Sequence, residues 1–218
     1  MTPAVFIPKP TTAVDRLSYD LETGVIKDDR QVRMIWIPED LIQAIHFVIK
    51  GQMRGVASQT LYNFGRYWGE RFFKQVEMRI MGARPGLKRI QEVSVRDFIK
   101  TCDALWADLG WGHFELVQAH GQIFVNLYNS PYAQTVGQCE ENVDYMFAGI
   151  FAGIFSELSG PRLECVEIMC FSNGYDYCRF IQGGEQVVSV IKTWQAQGAN
   201  YEEIIQRIQQ QHASRGAR

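Results

Sequence analysis

The sequence predicts an α+β fold: an antiparallel sheet of about four strands with helices packed mainly on one face. Three observations predict it. Apolar residues recur at helical spacing in three stretches before residue 110. The period drops to two after Trp111, and again after residue 162. A further helical stretch separates those two hairpin-like regions.

Residues 1–35 hold Pro3, Pro8, Pro10 and the polar run KDDRQ, and read as an N-terminal extension that is at best partly ordered. At Trp36 the pattern changes. "IPEDLIQAIHFVIKGQMRG" opens with a proline and two acids, as helix N-termini do. Leu41, Ile45, Val48 and Ile49 then form an apolar stripe, with His46 beside it. A second helix is predicted from about Ser58 to Met81, with Leu61, Phe64, Trp68 and Phe72 on one stripe. Gly65 and Gly69 lie next to it. Each costs about 1 kcal/mol of helix propensity against alanine, so close packing by another backbone or a flat ligand is expected there.

"SVRDFIKTCDALWADLG" starts at a capping serine, Ser94, and stops at Gly110. Its stripe of Phe98, Cys102, Leu105 and Leu109 makes Cys102 a core residue. "GHFELVQAHGQIFVNLYNSP" reads as two strands joined through His120-Gly121. Phe114 and Leu116 share a face of the first; Ile123, Val125 and Leu127 share a face of the second. A helix is predicted from Cys139 to Leu158, with Phe147, Phe151, Ile154 and Leu158 as its apolar stripe. Gly149, Gly153 and Ser156 beside them would let it lie close on a sheet. Residues 162–171 and 175–182 then pair around Asn173-Gly174, a strong hairpin signal. "GGEQVVSVIKTWQAQG" and "NYEEIIQRIQQQHASRG" are two closing helices. The organisation expected is an extension (1–35), a domain (36–183) and C-terminal helices (184–218).

Composition narrows the function. Hydrophobic residues are 46% and charged residues 21%, which excludes a disordered chain. The net charge is −2 with no basic stripe, so nucleic acid is not an expected partner. No secretory signal and no apolar run of membrane-spanning length occurs, and the five cysteines are an odd number, so a cytoplasmic, reducing setting is expected.

The histidines, His46, His113, His120 and His212, fall in no metal-binding motif. The acid pairs Glu140-Glu141 and Glu202-Glu203 are expected at helix starts, where they offset the dipole. The stretch "ECVEIMCFSNGYDYC", residues 164–178, carries more chemistry. A turn at Gly174 brings Cys170 and Cys178 together. With Glu167 they offer zinc two thiolates and a carboxylate, one short of the usual four ligands. Strict alternation puts Glu167 and Cys170 on opposite strand faces, so a shared site requires a bulge or the strand's end. Cys165 shares parity with Glu167 and is either an alternative ligand or core.

This stretch resembles the 4-vinyl reductase domain family, related to TRAPP-type trafficking subunits and haem-NO-binding domains. The resemblance is carried by Gly149, Gly153, Gly160, Glu167, Cys170, Gly174 and Cys178, with "LYNFGRYWGERFF", "GWGHFEL" and "NSPYA" similar to earlier family elements. It covers about residues 36–183 and implies a TRAPP-subunit-like, commonly dimeric fold. In relatives that sense aromatic molecules, zinc is held by Cys, Glu, Cys and Cys. Carried over, the last three are Glu167, Cys170 and Cys178, and the first position falls on Asp144 instead of cysteine. The resemblance thus implies zinc as a candidate cofactor. It also implies a non-catalytic domain binding a hydrophobic small molecule, with a tetrapyrrole as candidate. The chain looks similar to stand-alone cyanobacterial members associated with photosystem II assembly, which implies photosynthetic assembly proteins as partners, a homodimer, and a cytoplasmic place at the thylakoid periphery. The alternatives are an enzyme or accessory subunit of tetrapyrrole vinyl-group reduction, and a pure protein–protein scaffold. The ligand pocket is expected between sheet and helices, lined by Phe64, Trp68, Phe72, Trp106, Trp111, Phe147 and Phe151.

Overall fold

A computed structural model describes residues 17–53 and 55–216. The chain forms two compact units, Met1–Pro38 and Glu39–Arg218. Residues 1–16 of the expected extension lie outside the described residues. From Leu17 onward the first unit has regular structure, where an extension at best partly ordered is expected from sequence. Strands β1 (Leu17–Asp20), β2 (Val25–Asp28) and β3 (Arg33–Met34) make an antiparallel meander. Its turns are held by aspartates bonding their own neighbourhood. Asp20 Oδ1 accepts from the N–H groups of Glu22 and Thr23, and Asp28 Oδ1 from those of Arg30 and Val32. The polar run that suggests disorder is therefore turn chemistry.

The second unit begins with α1 (Glu39–Gln52), α2 (Ala57–Ala83) and α3 (Val95–Asp108). Ser94 caps α3 as expected, its hydroxyl accepting from Asp97 N–H. A hairpin of β4 (His113–Ala119) and β5 (Gln122–Tyr128) follows, turning through His120 and Gly121, both at positive φ. Then come α4 (Pro131–Val136), α5 (Tyr145–Ser159), β6 (Glu164–Met169), β7 (Cys178–Gly183), α6 (Glu185–Ala196) and α7 (Tyr201–Gly216). The sheet order is β4-β5-β7-β6, antiparallel throughout. This is the α+β class the periodicities predict.

The larger core joins α2, α3 and α5 to the sheet face that carries Val125, Leu127 and Phe180. The opposite face, with Phe124, Val166 and Ile181, is covered by Val188 and Ile191 of α6 and Ile204 and Ile208 of α7. The C-terminal helices are therefore part of this unit.

Four expectations are corrected. First, the glycines of α5 meet a helix rather than the sheet. A Cβ on Gly149 would stand 2.0 Å from the Tyr62 carbonyl oxygen, and one on Gly153 2.4 Å from that of Arg66. Reciprocally, Gly65 and Gly69 face the carbonyls of Met146 and Ile150 at 2.0 and 2.2 Å. Two pairs of glycines thus let the α2 and α5 backbones touch, which offsets their propensity cost. Second, α5 starts at Tyr145, not Cys139. Residues 139–144 form a loop whose groups bond the β6–β7 region instead of a helix: Cys139 N–H donates to Ser172 O, and the Asn142 side chain to Glu167 O. Glu140-Glu141 is consequently no helix start, and Glu141 pairs with Lys50 at 2.8 Å. Third, α1 buries Ile42, His46 and Ile49, while Leu41, Ile45, Phe47 and Val48 stay about half exposed. Fourth, "NSPYA" is a short helix, α4, capped by Ser130 with Pro131 in the first turn.

Candidate functional site

Four side chains converge where α5 begins and the β6–β7 connection turns. Asp144 precedes α5, Glu167 lies on β6, Cys170 follows β6, and Cys178 opens β7. One ligand-type atom from each lies within 4.8 Å of the others, and all four residues are buried. The bulge that strand parity demands is present: the β6–β7 register shifts between Glu167 and Met169. It turns Cys170 to the side of Glu167. Cys165 lies outside the group, as a fully buried core residue whose thiol burial pushes up in pKa. Cys139 is outside it too, its Sγ directed to Glu141 O.

The internal bonds leave the group short of partners. Asp144 Oδ1 accepts from Ser130 Oγ at 3.0 Å, and Glu167 Oε2 accepts from Asp144 N–H at 2.9 Å. The remaining oxygens, Asp144 Oδ2 and Glu167 Oε1, are buried without a partner. Cys178 Sγ donates to Cys170 Sγ across 3.8 Å, and Phe171 N–H donates to Cys178 Sγ. Among the described residues, no lysine, arginine or histidine charge acts on any of the four.

The protonation states follow from that imbalance. Burial, then the neighbouring Cys170, pushes the Asp144 carboxyl up to about 7. Burial, then the Asp144 charge, raises Glu167 well above the carboxylate range. The thiols share a proton. Donation from Cys178 holds Cys170 down at about 5, and the same bond with burial drives Cys178 upward. Four acids crowded together in a low-dielectric site are the surroundings a divalent cation relieves.

The residues fit zinc. Two thiolates and two carboxylates make a closed four-ligand set of the structural kind. The sulfur–sulfur distance of 3.8 Å matches the spacing of two thiolates each about 2.3 Å from one tetrahedral ion. Ser130 and the Asp144 N–H supply the outer hydrogen bonds that orient the carboxylates. Sequence reasoning misses Ser130 and Asn142; the Ser-Pro step that caps α4 is the available signal for the first.

Of the seven expected ligand-lining aromatics, six form one cluster. Trp106 is at its centre, stacked on Phe151 at 5.2 Å between ring centroids and edge-on to Phe72 and Trp111. Phe147 lies 5.3 Å from Trp106, and Trp68 stacks on Phe72 at 4.9 Å. Trp106 Nε1 donates to Trp111 O. Phe72, Trp106, Phe147 and Phe151 are fully buried, whereas Trp68 and Trp111 are half-buried at the rim. Phe64 is the correction: it is 60% exposed and outside the cluster. The rings pack against one another. A cleft of about 1220 Å³ lies elsewhere, along β6 between α2 and the α6–α7 pair, and none of the seven lines it. His46 is buried edge-on against Tyr132 at 4.6 Å, and His113 is exposed beside Asp103.

Residues 123–183 match the family model of the vinyl-4-reductase domain. Among solved structures, the chain is similar to the phenol-responsive sensory domain of the transcription activator PoxR, solved with phenol. The TM-score is 0.61 at 19% identity, over 78% of this chain and 85% of that one. A vinyl-4-reductase family protein from Methanocaldococcus jannaschii gives 0.47 at 20% identity, over 69% and 83%. A trafficking protein particle complex subunit 3 from Naegleria fowleri, covalently bound to palmitic acid, gives 0.48 at 18%, over 66% and 93%. No curated protein matches the sequence. The domain match supports the vinyl-4-reductase family, and the PoxR likeness is one of fold. No helix among the described residues is long and apolar enough to cross a membrane.

Proposed function

We propose that residues 39–218 form a metal-stabilised, non-catalytic domain that binds a hydrophobic small molecule. The observation that carries this reading is the buried quartet of Asp144, Glu167, Cys170 and Cys178, with two carboxylate oxygens left unpartnered. Zinc held by these four would supply the missing positive charge and pin the α5 start to the β6–β7 connection. The vinyl-4-reductase domain match and the fold shared with a phenol-sensing domain support the ligand-binding part.

The ligand class we propose is a flat, largely apolar molecule, with a tetrapyrrole as the candidate, entering at Trp68 and Trp111. These half-buried rings form the rim of the aromatic cluster, so uptake requires them to swing outward. Titration with a chlorophyllide tests this. The expected result is a shifted pigment absorbance and quenched tryptophan fluorescence, both lost in Trp111→Ala. Absence of both changes in the zinc-loaded protein would remove the tetrapyrrole.

A second reading, a scaffold for photosynthetic assembly proteins or a homodimer, is favoured by α1. Its outer face presents Leu41, Ile45, Phe47 and Val48, more exposed apolar surface than a lone helix normally shows. Sedimentation of Phe47→Glu against the unsubstituted chain tests it: a dimer that becomes a monomer supports the homodimer.

A further inference from the structure

We propose that the outer edge of β6 is a docking site for an extended peptide of a partner protein, which joins the sheet as a fifth strand. The proposal is independent of the metal and of the small-molecule reading. It starts from the backbone. β6 ends the sheet, pairing with β7 alone. Cys165 N–H donates away from β7 to the Tyr62 hydroxyl at 3.2 Å. Glu167 C=O, two residues on, accepts from Asn142 Nδ2 at 2.9 Å and Gln195 Nε2 at 2.7 Å. In an antiparallel strand both backbone groups of a residue point the same way, so Cys165 and Glu167 face outward while Glu164 and Val166 face the ladder. Two outward groups remain, Cys165 C=O and Glu167 N–H. No bond from the described residues reaches them, although Cys165 is 0% and Glu167 3% exposed. Buried backbone groups are nearly always paired.

The space beside them is elongated. The cleft of about 1220 Å³ runs past Cys165, Glu167 and the Gly174 turn. A second, of about 490 Å³, continues past Glu164 and shares Gln59, Tyr62, Lys192 and Ala196 with the first. Together they follow the full length of β6, about 20 Å for six residues. The complementarity is to a peptide backbone. The walls carry six carboxamides, Gln59, Gln138, Asn142, Asn173, Gln195 and Asn200, which offer neutral donors and acceptors in both senses. Asn142 and Gln195 already stand where a neighbouring strand's N–H groups would be. A second copy is excluded as the occupant by the same walls. Its β6 is equally recessed between helices, and two recessed edges cannot meet. A slender extended segment can enter, the β-addition mode of peptide recognition.

The test uses the full chain. A phage-displayed random heptapeptide library is selected on it, and the winning peptides are synthesised with single N-methyl groups at successive residues. Binding is read by fluorescence anisotropy, and amide hydrogen exchange by NMR. Strand addition predicts that N-methylation at alternate residues weakens binding about tenfold or more, while the residues between tolerate it. It predicts slowed exchange of the Glu167 amide on peptide binding. It also predicts a similar loss of affinity in Ala196→Arg, whose side chain enters the groove from an exposed helix position, with unchanged thermal melting. A library without binders, a uniform response to N-methylation, or indifference to Ala196→Arg each overturns the proposal. Glu167 protection that rises with protein concentration in the absence of peptide assigns the edge to a second copy, and overturns it as well.

Discussion

Two buried clusters meet α5, one along its length and one at its start, and they solve burial in opposite ways. Around Trp106, Phe147 and Phe151 each ring is surrounded by other rings. Burial of each large apolar side chain stabilises the fold by roughly 1.5–3 kcal/mol, and nothing is left unpaired. Around Asp144 and Glu167 the burial is as complete but the chemistry is acidic, and two oxygens lack a partner. The first cluster accounts for itself. The second is stable only with something the polypeptide does not supply.

The contrast can be broken by substitution. The largest effect is expected in the aromatic cluster. Phe151→Ala removes the ring between Trp106 and Phe180 and is expected to cost about 3–5 kcal/mol in urea unfolding. The loss should be the same with and without chelator. A chelator-dependent loss would mean that the two clusters are one system.

Next comes Cys178→Ser, for which the expectation is conditional. At free zinc a hundredfold above the dissociation constant, the unsubstituted protein gains about 2.7 kcal/mol that the variant lacks. In chelator the gap closes. Acid should weaken zinc uptake, because the carboxylic acids and thiols must give up protons to bind it. The backbone contact that holds both clusters to α2 comes third. Gly69→Ala puts a methyl 2.2 Å from Ile150 O, and the forced separation of helices should cost about 1–3 kcal/mol regardless of metal.

The smallest effect concerns His46, buried away from the quartet. Burial, then Lys50, pushes its pKa down from 6.5 to about 4, so the fold favours the neutral ring. Its stabilising contribution is therefore complete above pH 6.5 and is lost as pH falls toward 4. Thermal melts of the chelated protein across that window should show a slope that His46→Gln reduces.

The same contrast separates what is legible in the sequence from what is hidden. Periodicity locates the four strands of the larger sheet and the closing helices, because alternation and helical spacing are local. Spacing around Asn173-Gly174, with the family resemblance, points to Glu167, Cys170, Cys178 and Asp144. The bulge that brings Glu167 and Cys170 to one side can be stated as a requirement but not read, since it depends on pairing with β7. Spacing misplaces Phe64 because the buried face of α2 is set by Gly65 and Gly69 meeting α5, not by its largest side chains. It misplaces the start of α5 for a similar reason. Asn142 and Asp144 bond to β6, more than a helical turn distant in sequence, and those bonds win over local propensity. The cleft along β6 is invisible, because which strand ends the sheet is a property of topology.

Whether the acidic cluster is a metal centre is decided by X-ray absorption at the zinc edge on protein purified without chelator. The expected result is one zinc per chain, with two sulfur neighbours at about 2.3 Å and two oxygen neighbours at about 2.0 Å. A chain that carries no metal after purification in zinc-containing medium, or a zinc shell without two sulfurs, would contradict it.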